Sequence, residues 1–317
     1  MRVGVTGASG FIGKLLCQAL LARGDQVVVL SRRDELNIPG VLVCKGDLTA
    51  GPDSLAAFVE GLEVIYHCAG ELKNQALMYP LHVEGTRALL AAACASIQRT
   101  GRTLHWVQLS SVGAYGPGGQ AASQVRLVDE SCHPQPVGEY EVTKTLADES
   151  LLAVAAVEPR LSYTLVRPSI VIAASMPNQS FFQFANAVRR RLFFYIGSQD
   201  AVATYVHVDD VVQALLNCSS REAAMNQTFI LSNDCGQREL VEAIAACYGV
   251  KPPVMVVPEQ FLRAIVRLLP ARRSPLTAER IDALVRRTCY ASDHAARVLG
   301  FAPAPMPVQL AAVLKSS

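Results

Sequence analysis

Arg2-Val3-Gly4-Val5-Thr6-Gly7-Ala8-Ser9-Gly10-Phe11-Ile12-Gly13 opens the chain and decides its fold. Arg2 to Thr6 is a short Val-rich run suited to a buried strand. From Lys14 to Ala22 the apolar residues Leu15, Leu16, Ala19 and Leu20 recur at helical spacing, so Gly7, Gly10 and Gly13 fall on a strand-to-helix turn. Such a turn can hold a phosphate. Without Cβ atoms the backbone approaches the anion closely, and the free N–H groups and positive dipole end of the helix face it. The spacing Gly-x-x-Gly-x-x-Gly is one residue longer at the front than the commonest dinucleotide fingerprint. A glycine triplet alone is also readable as a tight turn; its place at the head of a βα pattern argues for the anion site.

Outward from this turn, strand and helix patterns alternate. Gln26–Leu30, Val41–Cys44, Val64–His67 and Leu104–Leu109 read as strands, while Ser54–Leu62, Pro80–Gln98 and Glu139–Val157 read as helices. The expected architecture is α/β, a doubly wound parallel sheet of Rossmann type with a smaller C-terminal substrate lobe. We expect the dinucleotide-binding domain over residues 1–170, its sheet completed by about 204–235, and the lobe over 171–203 and 236–317.

The second strand ends at Ser31-Arg32-Arg33, about 20 residues past the glycines, where enzymes selecting NAD place a carboxylate for the ribose 2′-hydroxyl. Arg32 and Arg33 are suited instead to a 2′-phosphate, and an Arg can stack on adenine. NADP is therefore the preferred cofactor; NAD stays open because Asp34 or Glu35 could still serve a 2′-hydroxyl. Cys68-Ala69-Gly70 ends the fourth strand on the carboxyl edge, where small residues leave room for a flat cofactor. The loop rich in Gly, Gln and Ser that runs to Pro136 is either a lid or a surface connection.

Composition bounds the rest. The chain has 317 residues, 51% of them hydrophobic, which is enough for a large core, and a formal net charge of +2, which does not favour nucleic acid. The arginines from Arg263 to Arg287 read first as a solvated helical surface. Nine cysteines are scattered without a Cys-x-x-Cys pair, as expected of reduced thiols in a cytoplasmic protein. No signal peptide and no membrane span are read, and no metal is implied. The basic apolar stretch Phe261–Leu269 could lie on a membrane surface, but packing on its own lobe is the simpler reading, so membrane contact is not expected.

Tyr140 and Lys144 lie four residues apart and share a helical face. An ammonium there would lower the phenol pKa and make Tyr140 usable as an acid or base near neutrality.

Together, Thr6-Gly7-Ala8-Ser9-Gly10-Phe11-Ile12-Gly13, Gly46-Asp47-Leu48, His67-Cys68-Ala69-Gly70, Ser110-Ser111 with Tyr115-Gly116, Tyr140-x-x-x-Lys144, Arg167-Pro168 and Tyr205-Val206-His207-Val208-Asp209-Asp210 resemble the extended short-chain dehydrogenase/reductase family. Within it the chain is most similar to the NAD-dependent epimerase/dehydratase group acting on nucleotide sugars. The resemblance covers nearly the whole chain and does not identify the substrate. It implies that Gly7, Gly10, Phe11, Ile12 and Gly13 form the phosphate-binding turn and that Asp47 and Leu48 meet the adenine. It makes Tyr140 the catalytic acid/base, Lys144 the residue that binds the nicotinamide ribose and tunes Tyr140, and Ser111, rather than Ser110, the hydroxyl that polarises the reacting group. Pro168 and Ser169 would flank the nicotinamide. A homodimer through Pro80–Gln98 and Glu139–Val157 is a further family expectation.

Departures sharpen the reading. His82 stands where the family carries Asn, and either substitutes for it or fills a polar gap. Val112-Gly113 replaces the Asp-Glu pair of the 4,6-dehydratases, which argues against elimination of water. Ala203 stands where many nucleotide-sugar enzymes have a diphosphate-binding Arg, although Arg189, Arg190, Arg191 or a later Arg could supply that charge. The first expectation is an NAD(P)-dependent epimerase or 4-keto-sugar reductase acting on a sugar nucleotide. The second keeps fold and cofactor but takes a small hydrophobic ketone or alcohol. The third is a non-catalytic dinucleotide-binding subunit.

Overall fold

A computed structural model describes residues 1–118, 125–177, 179–198, 200–268 and 277–315. The amino-terminal half runs β1 (Arg2–Thr6), α1 (Phe11–Ala22), β2 (Gln26–Ser31), β3 (Leu42–Lys45), α2 (Ala56–Val59), β4 (Val64–His67), α3 (Gln75–Tyr79), α4 (Gly85–Thr100), β5 (Leu104–Leu109), β6 (Arg126–Val128) and α5 (Glu139–Ala155). There follow β7 (Leu161–Pro168), β8 (Ile170–Ile172), α6 (Ser180–Arg189), β9 (Tyr195–Ile196), β10 (Val202–His207), α7 (Val208–Ser220), β11 (Gln227–Leu231), β12 (Asn233–Gly236), α8 (Gln237–Cys247) and β13 (Val256–Val257). The chain closes with α9 (Glu259–Leu268), α10 (Ala278–Val285), β14 (Thr288–Tyr290), α11 (Asp293–Leu299) and α12 (Met306–Lys315).

Seven strands form one parallel sheet in the order β11-β7-β5-β4-β1-β2-β3. The order reverses at β1, between β2 and β4, and a crevice opens at such a switch point beyond the carboxyl ends of the strands. Successive side chains supply opposite layers. Val27 and Val29 pack with Leu16 and Leu20 of α1 and Val211 and Leu215 of α7. Val28, Ile65 and Trp106 pack with Phe58, Leu89 and Leu151 on the other face. Because both faces are covered, β5 is buried along its whole length, its polar residues His105 and Gln108 included.

Of the 204–235 stretch expected to complete the sheet, only Gln227–Leu231 joins it. Val202–His207 pairs instead with β8 and β12 in a separate three-stranded sheet. Two readings of helices change for local reasons. Ser54–Leu62 holds a 3₁₀ turn, Pro52–Leu55, and a single α turn before Gly61 adopts a φ of 66°. Pro80–Gln98 is interrupted: Pro80 has no N–H to donate, and Pro80–Glu84 widens into a π turn between α3 and α4. The loop before Pro136 contains β6, which pairs with β14; its residues 119–124 lie outside the described part. Among the described residues no helix is long and apolar enough to cross a membrane. In Phe261–Leu269, Leu262 and Val266 pack against Ile281 and Val285, while residue 269 lies outside the described part.

Candidate active site

At the glycine turn, Gly7 has φ of 70°, and a Cβ there would sit 2.7 Å from the backbone N of Ala69 and O of Cys68. A Cβ on Gly13 would collide with the Gly7 carbonyl oxygen. Both positions therefore exclude any side chain, and the turn lies flat against the end of β4. Gly10 caps α1 without a side-chain hydrogen bond, so the first N–H groups of this 12-residue helix face the crevice without a protein cap. Phe11 and Ile12 direct their side chains into the core and offer backbone alone.

A cleft of about 350 Å³ opens over this turn. Gly7, Gly10, Arg32, Arg33, Asp47, Leu48, Cys68, Ala69 and Gly70 all line it, so these nine expected positions are brought together. Arg32 and Arg33 are exposed at its rim. Asp34, the alternative ribose ligand, pairs with Lys45 at 2.8 Å on the open surface. One Asp47 oxygen accepts the Thr49 N–H and hydroxyl, both at 2.9 Å, which fixes the carboxylate at the cleft wall. Bare backbone, helix N–H groups and a cationic rim fit a dinucleotide diphosphate with an added phosphate.

Tyr140 and Lys144 stand at the start of α5; neither they nor Ser111 are among the residues that line this cleft. His82 bridges to them: its ring meets Tyr140 edge-on at 5.6 Å, while Nε2 faces Gly70, 3.5 Å from where a Cβ would be. Lys144 is buried and donates from Nζ to the Leu109 carbonyl at 2.6 Å. Burial lowers its pKa, against the pull of Asp148. The expected lowering of the phenol pKa is not found. Burial pushes Tyr140 up to about 12, and the carboxylates of Glu141 and Asp148 push in the same direction. Desolvation sets this direction, and the Lys144 ammonium is directed at a carbonyl of β5.

The two adjacent serines have different partners. Ser110 is buried and donates to Asp148 Oδ2 at 2.6 Å. Ser111 is half-buried and accepts the Gly113 N–H at 3.0 Å, which leaves its own proton available to a ligand. Asp148 is the group the sequence reading missed. It also receives Arg167 Nη2 at 3.1 Å, and burial raises its pKa against Arg167, Ser110 and Lys144. The signal was present as a second four-residue step, 140, 144, 148, on one helical face. Pro168 ends β7 beside Leu231. The Ser169 hydroxyl lies 2.8 Å from that of Ser232, which itself donates to Asp234. Ala203 is buried among Ile172, Phe181, Val188 and Tyr195, so no cation stands at that position.

The profile of the NAD dependent epimerase/dehydratase family matches residues 3–229. The chain belongs to this family of NAD(P)-dependent oxidoreductases and epimerases, and NAD or NADP is its cofactor. It is 28% identical over 322 residues to 4-hydroxy-2-methyl-3-oxo-4-farnesyl-3,4-dihydroquinoline-1-oxide ketoreductase of Stigmatella aurantiaca, covering 95% of this chain and 92% of the relative. It is also 28% identical to dTDP-6-deoxy-L-talose 4-dehydrogenase (NAD(P)(+)) of Kitasatospora kifunensis, over 81% of this chain and 82% of that one. In fold it matches MoeE5 in complex with UDP-glucuronic acid and NAD, with a TM-score of 0.75 and 24% identity over 100% of this chain and 98% of that chain.

Proposed function

We propose that the protein is an NADPH-dependent reductase, or the reverse dehydrogenase, of a small hydrophobic ketone or alcohol. The observation that carries the substrate class is Ala203, buried in an apolar cluster where a sugar-nucleotide enzyme would present a cation to the diphosphate. The ketoreductase relative from Stigmatella, whose name specifies a farnesylated ring ketone, supports the same reading. Arg32 and Arg33 at the cleft rim support NADPH over NADH and turnover that releases the cofactor over an epimerase cycle.

When bound, the nicotinamide supplies or accepts hydride. In reduction, Tyr140 donates its phenolic proton to the substrate oxygen. A phenol held protonated by burial is suited to that direction. The Ser111 hydroxyl, its oxygen already engaged by Gly113, donates to the same oxygen and polarises the carbonyl. Lys144 spends one N–H on Leu109 and has two left for ribose hydroxyls. Ser110, Asp148 and Arg167 form a buried brace behind these groups.

A second reading keeps this machinery for a sugar nucleotide, favoured by the talose dehydrogenase relative. Purified protein with NADPH, tested on hydrophobic β-keto esters and cyclic ketones beside keto-sugar nucleotides, separates the two. Turnover of the first set without competition by UDP or dTDP supports our reading; turnover confined to the second overturns it. We also propose a homodimer through α4 and α5, supported by the apolar groove between them that contains Leu90, Ala91, Leu146 and Val154. Sedimentation as a monomer alone would remove it.

A further inference from the structure

The carboxyl end of α6 breaks two local rules at once. Arg191 N–H bonds to Val188 O and Leu192 N–H to Ala187 O, both at 2.9 Å, the paired bonds of a helix end whose next residue is left-handed. That residue is normally Gly. Here it is Arg191, at φ 60° and exposed. The residue after it usually folds back onto the helix, yet Leu192 is 68% exposed. Two unfavourable choices at adjacent positions point to a demand on the side chains themselves.

The register of β9 and β13 shows what lies beside them. Tyr195 pairs with Val256 in parallel, and the Tyr195 N–H bonds to Met255 O at 2.9 Å, so the chains entering the two strands run side by side. Val254, Met255 and Val256 are 85%, 56% and 44% exposed. Tyr195 and Ile196 are buried beneath, which anchors the face to the core. Arg190, Arg191 and Lys251, all exposed, precede the two strands, and the acidic side chains nearest the strands, Glu242 and Glu259, are themselves paired with Arg238 and Arg263. Arg189 is held over the Tyr248 ring at 5.5 Å.

We propose that this face, Arg190–Leu192 with Lys251–Val256, docks on an anionic phospholipid surface. Leu192, Val254 and Met255 enter the headgroup boundary, and the three cations lie at the level of the phosphates. Charge complementarity selects this occupant. The two strands are two residues long each, too short to template a partner's strand, which leaves apolar insertion and charge as the means of contact. The face proposed here is distinct from Phe261–Leu269, for which the sequence favoured packing on its own lobe, and it does not depend on the identity of the substrate.

Vesicle flotation of the full chain tests the proposal, using phosphatidylcholine alone and phosphatidylcholine mixed with phosphatidylglycerol. We expect binding to the mixed vesicles only, weakened by salt. The double variants R190E/R191E and L192S/M255S should each lose about tenfold or more in binding. Unchanged melting temperature and NADPH affinity in these variants would show that the fold is intact. Absence of binding to mixed vesicles, or equal binding by the variants, overturns the proposal. So does a wild-type dimer that ignores vesicles and is split by L192S/M255S in sedimentation velocity, which would assign the face to a second copy of the chain.

Discussion

Nε2 of His82 accepts the backbone N–H of Glu71 at 2.8 Å, and this fixes the proton of its neutral imidazole on Nδ1, which donates to Thr143 Oγ1 2.8 Å away. Thr143 passes its own proton to the Glu139 carbonyl at 2.7 Å. One side chain thus ties the loop after β4, which borders the cofactor cleft, to the helix turn that carries Tyr140. His82 is a brace with both ring nitrogens satisfied.

Replacing His82 by Ala should therefore leave the half-buried Glu71 N–H without its acceptor and the Thr143 oxygen without the donor it accepts from, at a cost of about 1–3 kcal/mol. The expected outcome is a melting temperature lower by several degrees and weaker NADPH binding, because Gly70 and Glu71 line the cleft. His82→Asn keeps an acceptor and a donor and should recover most of both. Calorimetry and fluorescence titration check this; an Ala variant that matches wild type would contradict the role.

Acid should destabilise the fold through its buried imidazoles. Burial lowers His67 to about 3 and His82 and His105 to about 4, from 6.5. The unfolded chain binds these protons first as pH falls, so the stability they contribute is complete above about pH 6.5 and is lost between there and pH 3–4. By pH 4.5 the loss is on the order of 2 kcal/mol per imidazole. Urea midpoints should fall steeply from pH 6.5 to 4.5, and less steeply in His82→Asn.

Arg32→Ser with Arg33→Ser should weaken NADPH binding by at least about tenfold and leave NADH within a few-fold, since only the former has a 2′-phosphate to lose. Paired dissociation constants measure this. An equal loss for both dinucleotides would show that the arginines act on the diphosphate or adenine instead.

Where the sequence was legible and where it was not follows from burial. The strands β1, β4 and β5 are covered on both faces and carry short runs of bulky apolar residues, and the bounds read for Val64–His67 and Leu104–Leu109 match the observed ones. β7 was not recognised: Ser162 and Thr164 alternate with Leu161, Tyr163 and Leu165 and break its first half into single apolar residues. In the fold these hydroxyls lie within hydrogen-bonding distance of His105, at 2.8 and 3.1 Å. The cleft-lining residues were readable because a bare glycine turn and a strand-end Arg pair are local features. The electrostatics of Tyr140 were not, because four-residue spacing reports proximity to Lys144 but says nothing of the desolvation that opposes it. The Asp148–Arg167 brace joins residues on different elements and needed the sheet to bring them together.

The proposed function makes Tyr140 the group that moves the proton at a carbonyl reduced beside a dinucleotide held by the glycine turn. Tyr140→Phe, assayed with NADPH and the best ketone of the panel, tests it most directly. Turnover should fall by about 10²–10⁴-fold while NADPH affinity and melting temperature stay near wild type. A Phe variant that turns over at the wild-type rate would contradict the account.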